Sequence, residues 1–193
     1  MPAMPENPGN VLLPIARATI SSALGRPGAG VAADSPWLLE KGACFVTLTL
    51  HGQLRGCIGT LQAHRSLQLD VKANAHAAAF RDPRFSPLTE NELDQTDIEI
   101  SLLSAMQPLH FSGERHALAQ LRPGIDGVVF EFGHYRSTFL PQVWEQLPDV
   151  AAFMSHLKHK AGLPPDFWAG EIKLSRYTVS KWKEVDVERV QND

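Results

Sequence analysis

The stretch QLRGCIGT, residues 53–60, gathers the residue types best suited to chemistry. Cys57 lies between Gly56 and Gly59, two residues after Arg55. The thiolate is the reactive form of cysteine, and a nearby cation favours it. Read as a strand, the stretch places Arg55 and Cys57 on one face and Leu54, Gly56 and Ile58 on the other. That relation requires a strand without a bulge. The glycines permit close backbone approach, and exposed N–H groups among them suit an anion or a developing oxyanion. With a base and a substrate pocket, the constellation suits covalent catalysis. Packing is the competing account, because free cysteines are among the most buried residues.

Several residues could complete a Cys57 site. Glu99 is the best acidic candidate, as a base or as the partner that holds Arg55. His76, beside an apolar helical stripe, is an acid or base candidate, with an edge-of-core role as its alternative. Arg84 offers a planar donor set to an anion, or ties down its own Asp-Pro-Arg-Phe loop. Asp82 reads as a turn or salt-bridge residue. Cys44 reads as structural, and a Cys44–Cys57 redox pair has no CxxC spacing behind it. His51 and His134 fall in turns. His156 and His159 are three apart on one helix, but no third ligand and no HExxH accompany them, so no metal site is expected. Phe139, Leu140, Pro141 and Trp144 form either a protein-binding surface or core packing.

The elements that must position these groups follow from periodicity. VLLPIARATISSALG, residues 11–25, has helical apolar spacing, with Pro14 in its first turn and Gly25 as its stop. Residues 26–36 read as a linker. ACFVTLTL at 43–50 is a strand, and His51-Gly52 turns it back into LRGCI as a β-hairpin. Residues 66–80 form a helix with Leu67, Val71, Ala75 and Ala78 as its stripe and Ser66 as a candidate cap. DIEISLLS at 97–104 is a strand with Ile98, Ile100 and Leu102 on one face and Glu99 on the other. Residues 113–121 are a short helical or irregular link. GVVFEFG and YRSTFL pair through Gly133-His134. Residues 149–161 form a further helix with Phe153, Met154 and Leu157 inward, and EIKLSRYTVSKWKEV closes the chain as a strand or strand pair. This order gives an α+β, mixed α/β fold.

The chain has 193 residues, enough for one domain with a substantial core. Its net charge of −3 provides no bulk attraction to nucleic acid or anionic membrane. SRYTVSKWKEV mixes aromatics with positive charge, which keeps a nucleic-acid-binding module as an alternative, but Glu184, Asp186 and Glu188 weigh against it. No apolar run reaches the ~20 residues of a membrane span. MPAMPENPGN lacks the charged start and apolar run of a signal peptide, and two cysteines make no disulfide scaffold. A soluble, cytoplasmic protein is the expectation. No GxGxxG or GxxxxGK[ST] supports a common nucleotide site.

Taken together, LRGCIG at 54–59, AFRDPRFSPL at 79–88, IEISLLS at 98–104, PGIDGVV at 123–129, FLPQVW at 139–144 and KAGLPPDFW at 160–168 resemble the AMMECR1 family, also called protein A of the AmmeMemoRadiSam system. The resemblance implies one domain over 11–187, with tails at 1–10 and 188–193. It implies a mostly antiparallel sheet with flanking helices, in two unequal subdomains. It also implies a binding or accessory role beside a Memo-like protein and a radical S-adenosylmethionine protein, in modification of a small molecule or protein. LRGCIG is the family's proposed functional region, which points to Arg55, Gly56, Cys57 and Gly59, with Arg84 nearby, for a small anionic ligand. The radical enzyme's iron–sulfur cluster does not transfer, because two cysteines cannot hold one. The cofactor is left open, as is the choice among a binding site, a thiol enzyme using Cys57 as nucleophile with Arg55, Glu99 and His76, and a purely structural hairpin.

Overall fold

In the computed structural model, residues 4–27 and 35–186 are described. Residues 28–34 of the linker-like stretch and the tail at 188–193 lie outside them. In chain order the elements are α1 (Gly9–Ala23), α2 (Pro36–Leu39), β1 (Lys41–Gly42), β2 (Cys44–Leu50), β3 (Gln53–Gly59), β4 (Arg65–Ser66), α3 (Leu67–Phe80) and α4 (Glu90–Leu93). There follow β5 (Thr96–Leu103), β6 (Gln107–Pro108), α5 (Glu114–Leu118), β7 (Gly127–Phe132), β8 (Tyr135–Phe139), a 3-10 turn (Pro141–Glu145), α6 (Val150–Lys160), β9 (Lys173–Tyr177) and β10 (Val179–Lys183). The fold is mixed α/β with antiparallel sheets and flanking helices.

The chain divides into two compact units. One takes the described residues up to Leu103 and from Ser180 onward, the other Ser104–Val179. In the first, a four-stranded sheet has the order β10-β5-β2-β3. Alternation along β2 sends Cys44, Val46 and Leu48 inward and leaves Phe45, Thr47 and Thr49 half-buried on the other face. Ile98, Ile100 and Leu102 of β5 join the inward set, which packs with the stripes of α1 and α3 in one aliphatic core. The alanines of α3 let it lie close to the sheet. A Cβ on Gly56 would stand 2.1 Å from the Ala78 carbonyl oxygen, so only glycine fits that approach.

α1 begins at Gly9, so Pro14 lies inside the helix rather than in its first turn. Its end is as the sequence indicates. Gly25 has φ +79°, and the N–H groups of Gly25 and Arg26 donate to the carbonyls of Ser22 and Ser21. Ser66 stands at the start of α3, but its side chain accepts no helix N–H.

The second unit carries the sheet β6-β9-β7-β8 and a core rich in aromatics. The indole of Trp144 stacks on Phe153, with ring centroids 3.7 Å apart, and Phe139 meets Phe153 edge-on. The FLPQVW segment is thus used in packing. Asp149 caps α6 by accepting the Ala152 N–H at 2.8 Å. The closing strand pair resolves into β9 and β10, which belong to different sheets.

Candidate functional site

The β2–β3 hairpin turns at His51 (φ 50°) and Gly52 (φ 75°), the left-handed pair that a two-residue turn of this kind needs. The ladder then shifts register between Leu48 and Thr49: Leu48 faces Gly56 while Thr49 faces Leu54. Arg55 is the extra residue of this bulge, and the alternation linking it to Cys57 is broken there. Its guanidinium takes Glu92 with both carboxylate oxygens, at 2.9 and 3.2 Å, and the carbonyls of Ser86 and Pro87. The expected pairing of Arg55 with Cys57 or Glu99 is therefore corrected, and the bulge is the reason. Glu92 also closes a capping box with Thr89 at the start of α4. The Arg55 side chain, chiefly, holds the Glu92 carboxyl down to about 2.

Beyond the bulge the strand is regular, and Cys57 faces Thr47. The Cys57 N–H and C=O both point away from β2. The N–H donates to Asp82 Oδ2 at 2.9 Å, and the C=O accepts Arg84 Nη2 at 3.2 Å. Asp82 and Arg84 thus clasp the outer edge of β3 and satisfy groups that an open strand edge would leave unpaired. The clasp is itself tied, Arg84 Nε and Nη2 donating to the Asp82 carboxylate at 2.9 and 2.6 Å and the Arg84 N–H at 3.1 Å. The last of these is an Asx-type turn, which explains Asp-Pro-Arg at these positions. Asp82 has a side chain only 2% exposed, and the Arg84 hydrogen bonds, chiefly, hold its carboxyl well below the usual carboxylate range. Asp82 in turn raises the pKa of Arg84. Arg84, not Arg55, is the guanidinium at Cys57, and it stays 53% exposed.

Position opposite Cys57 is only half of Thr47's role. Its hydroxyl lies 3.3 Å from the Cys57 Sγ, and across the other ladder Thr47 faces Glu99. Cys57, Thr47 and Glu99 therefore form one transverse row on the face opposite the aliphatic core. Adjacent strands in such a row are roughly 4.8 Å apart. Glu99 is flanked by Lys183 at 3.4 Å and Lys181 at 3.8 Å. The row thus runs from an exposed guanidinium through a thiol, a hydroxyl and a carboxylate to two ammonium groups.

Other candidates lie elsewhere. His76 packs on Phe80 with ring centroids 5.0 Å apart, on the helix side of the sheet. Gly56 and Gly59 are packing glycines, a Cβ on Gly59 falling 2.2 Å from the Phe45 ring. Cys44 is fully buried on the inward face, and burial pushes its thiol pKa up. Facing opposite sides of the sheet, Cys44 and Cys57 do not form the redox pair weighed from sequence; both are free thiols. A buried network holds β2 from inside: Asp70 accepts the Cys44 N–H at 2.9 Å and Arg65 Nε at 2.8 Å, and Asn74 donates to the Cys44 carbonyl. His156 and His159 are exposed on α6. Among the described residues, no cluster of three or more His, Cys, Asp or Glu could hold a metal ion, and no helix is long and apolar enough to cross a membrane.

Sequence reasoning missed Thr47, Lys181 and Lys183 as neighbours of the site and gave Asp82 too small a part. Two signals were present. Alternation along ACFVTLTL assigns Thr47 to the outward face, and Thr89-x-x-Glu92 spells a capping box.

Comparison with known proteins agrees with this architecture. A family model described as AMMECR1 matches residues 13–182. The chain is 37% identical over 151 residues to Protein MJ0810 of Methanocaldococcus jannaschii, covering 76% of this chain and 75% of that one. It is 34% identical over 194 residues to a protein of Methanosarcina acetivorans, covering 96% and 97%. Among solved structures, that of the uncharacterized protein PH0010 from Pyrococcus horikoshii superposes with a TM-score of 0.74 at 31% identity, covering 91% of each chain.

Proposed function

This chain belongs to the AMMECR1 family, and from that premise we propose that it is a binding or accessory module working with a Memo-like partner and a radical S-adenosylmethionine protein, in modification of a small molecule or protein. The partners follow from the family resemblance. The observation that carries the binding role is that the groups of LRGCIG are already committed within the fold. Arg55 is held by Glu92, the Cys57 N–H by Asp82, and the two glycines by close packing. What is left to a visitor is the outward row: the exposed side of the Arg84 guanidinium, whose Nε and Nη2 are taken by Asp82 and the Cys57 carbonyl, then Cys57, Thr47, Glu99, Lys181 and Lys183. It is rigidly backed and rich in donors, which suits recognition of an anionic group on a ligand or partner. Gentle co-purification from the native cell is expected to recover a Memo-like protein with the wild-type chain and to lose it with Thr47→Arg. Recovery of background proteins alone would refute a stable partnership.

A second reading, a thiol-dependent enzyme, draws on the Thr47 hydroxyl at the Cys57 Sγ and on the Arg84 guanidinium at the Cys57 carbonyl. In that reading Cys57 attacks an electrophile, its thiol proton passes to the Thr47 hydroxyl between the two and on toward Glu99, and Arg84 steadies the charge. A folded Cys57→Ala protein that keeps full turnover of a substrate trapped on the wild-type chain would sink it.

A further inference from the structure

We infer that the recess between α5 and α6 binds a small zwitterion, one carboxylate and one ammonium group on an apolar body, of the size of a free amino acid. The recess lies wholly in the second unit and is independent of the Cys57 row. Its volume is about 420 Å³, within the roughly 300–1,000 Å³ range of small-molecule sites.

Lys158 lines the recess, yet its side chain is only 3% exposed. Its ammonium has three donors, and among the described residues one acceptor meets them, Glu114 Oε1 at 3.0 Å. The ring of Trp168 lies 5.9 Å from the nitrogen and offers a weak electrostatic contact. A buried ammonium with donors to spare is costly in a protein interior, and an acceptor entering the recess lowers that cost.

The rim sets the charge of the visitor. Arg115 and Asp166 both line the recess and are exposed, and among the described residues neither has an ion-pair partner. With Lys158 and Glu114 they make two cations and two anions around one small volume. A simple anion would meet Glu114 and Asp166 as well as the cations, and a simple amine would meet Lys158 and Arg115. A zwitterion satisfies both pairs, with its carboxylate toward Lys158 and Arg115 and its ammonium toward Glu114 and Asp166. Leu118, Ala151 and Pro165 supply apolar wall for the rest of the molecule.

The test uses the full chain, isotopically labelled, titrated by NMR with L-leucine, with 4-methylpentanoate, which lacks the ammonium, and with 3-methylbutylamine, which lacks the carboxylate. Leucine is expected to give saturable shifts confined to Arg115, Leu118, Ala151 and their neighbours. Each singly charged analogue is expected to bind at least about tenfold more weakly, the loss of one charge-assisted hydrogen bond. Arg115→Gln and Asp166→Asn change exposed side chains, so both variants should fold, and each is expected to weaken leucine about tenfold by the same reasoning. No saturable shift at the recess, an analogue that binds as tightly as leucine, or variants that leave the affinity unchanged would overturn the inference.

Discussion

The two units solve the same problem, a four-stranded sheet with buried acids, in different ways. In the first, Asp70 and Asp82 each carry an arginine and each accept a backbone N–H of the β2–β3 hairpin, from Cys44 and Cys57. Their charges fix the position of one hairpin, from inside and at its outer edge. In the second, Asp126 accepts the N–H and side chain of Arg122, four residues back, and closes its own loop. The Asp126 carbonyl receives the Trp144 indole N–H at 2.7 Å. The core around it is aromatic, whereas that of the first unit is mostly aliphatic. The difference teaches where precision is needed. The first unit directs buried charge onto the backbone of its signature strand, and the second uses it to shape a loop that stacked rings then hold.

The largest effect should separate two glycines. A Cβ on Gly56 meets a backbone oxygen, which cannot yield, so Gly56→Ala is expected to cost about 3 kcal/mol or more. A Cβ on Gly127 in the second unit meets the Tyr177 ring at 2.3 Å; a side chain shifts more readily, and Gly127→Ala is expected to cost less. Denaturant unfolding of both variants reads the difference, and equal losses would break the comparison.

Next come the acids. Asp82→Ala and Asp126→Ala each remove charged hydrogen bonds from a buried setting, worth about 2–3 kcal/mol. Their stability losses should be similar. The alkylation rate of Cys57 should change only in Asp82→Ala, because only Asp82 holds that strand edge. A rate change in both variants would mean that the clasp is not local.

A smaller effect appears with pH. The folded Glu92 carboxyl is held near 2, against an ordinary value of 4.5. A lowered folded pKa stabilises above the unfolded value and is lost as pH falls through the folded one. The stability gap between wild type and Glu92→Gln should therefore be full at neutral pH and should narrow between pH 4.5 and about 2. Thermal unfolding across that range measures it, and a gap independent of pH would contradict the Arg55–Glu92 assignment. Smallest of all, Thr47→Val should cost less than about 1 kcal/mol, since it removes one half-buried hydroxyl contact to sulfur.

Much of this comparison was legible in the sequence. Period-two alternation in ACFVTLTL and DIEISLLS gave both faces of the first sheet, and the alanine stripe gave the helix beneath it. The bulge at Arg55 was not legible, because a register shift depends on how a particular turn meets two particular strands and leaves no mark in composition. With it went the partner of Arg55. Asp82 hid behind its own good turn chemistry: Asp-Pro reads as a turn whether or not the carboxylate also reaches a strand edge. The Lys158–Glu114 pair was beyond reach, its partners lying 44 positions apart with no periodic pattern joining them.

The central claim is that the row at Cys57 is an outward binding face held from behind. Its most direct test is alkylation of the folded wild-type chain, followed by peptide mass, with and without a purified Memo-like protein. The expected result is an adduct on Cys57 alone, with Cys44 labelled only after denaturation, and a Cys57 rate that falls saturably as the Memo-like protein is added. A Cys57 that resists labelling until the chain unfolds, or one whose rate is indifferent to saturating Memo-like protein, would contradict the account.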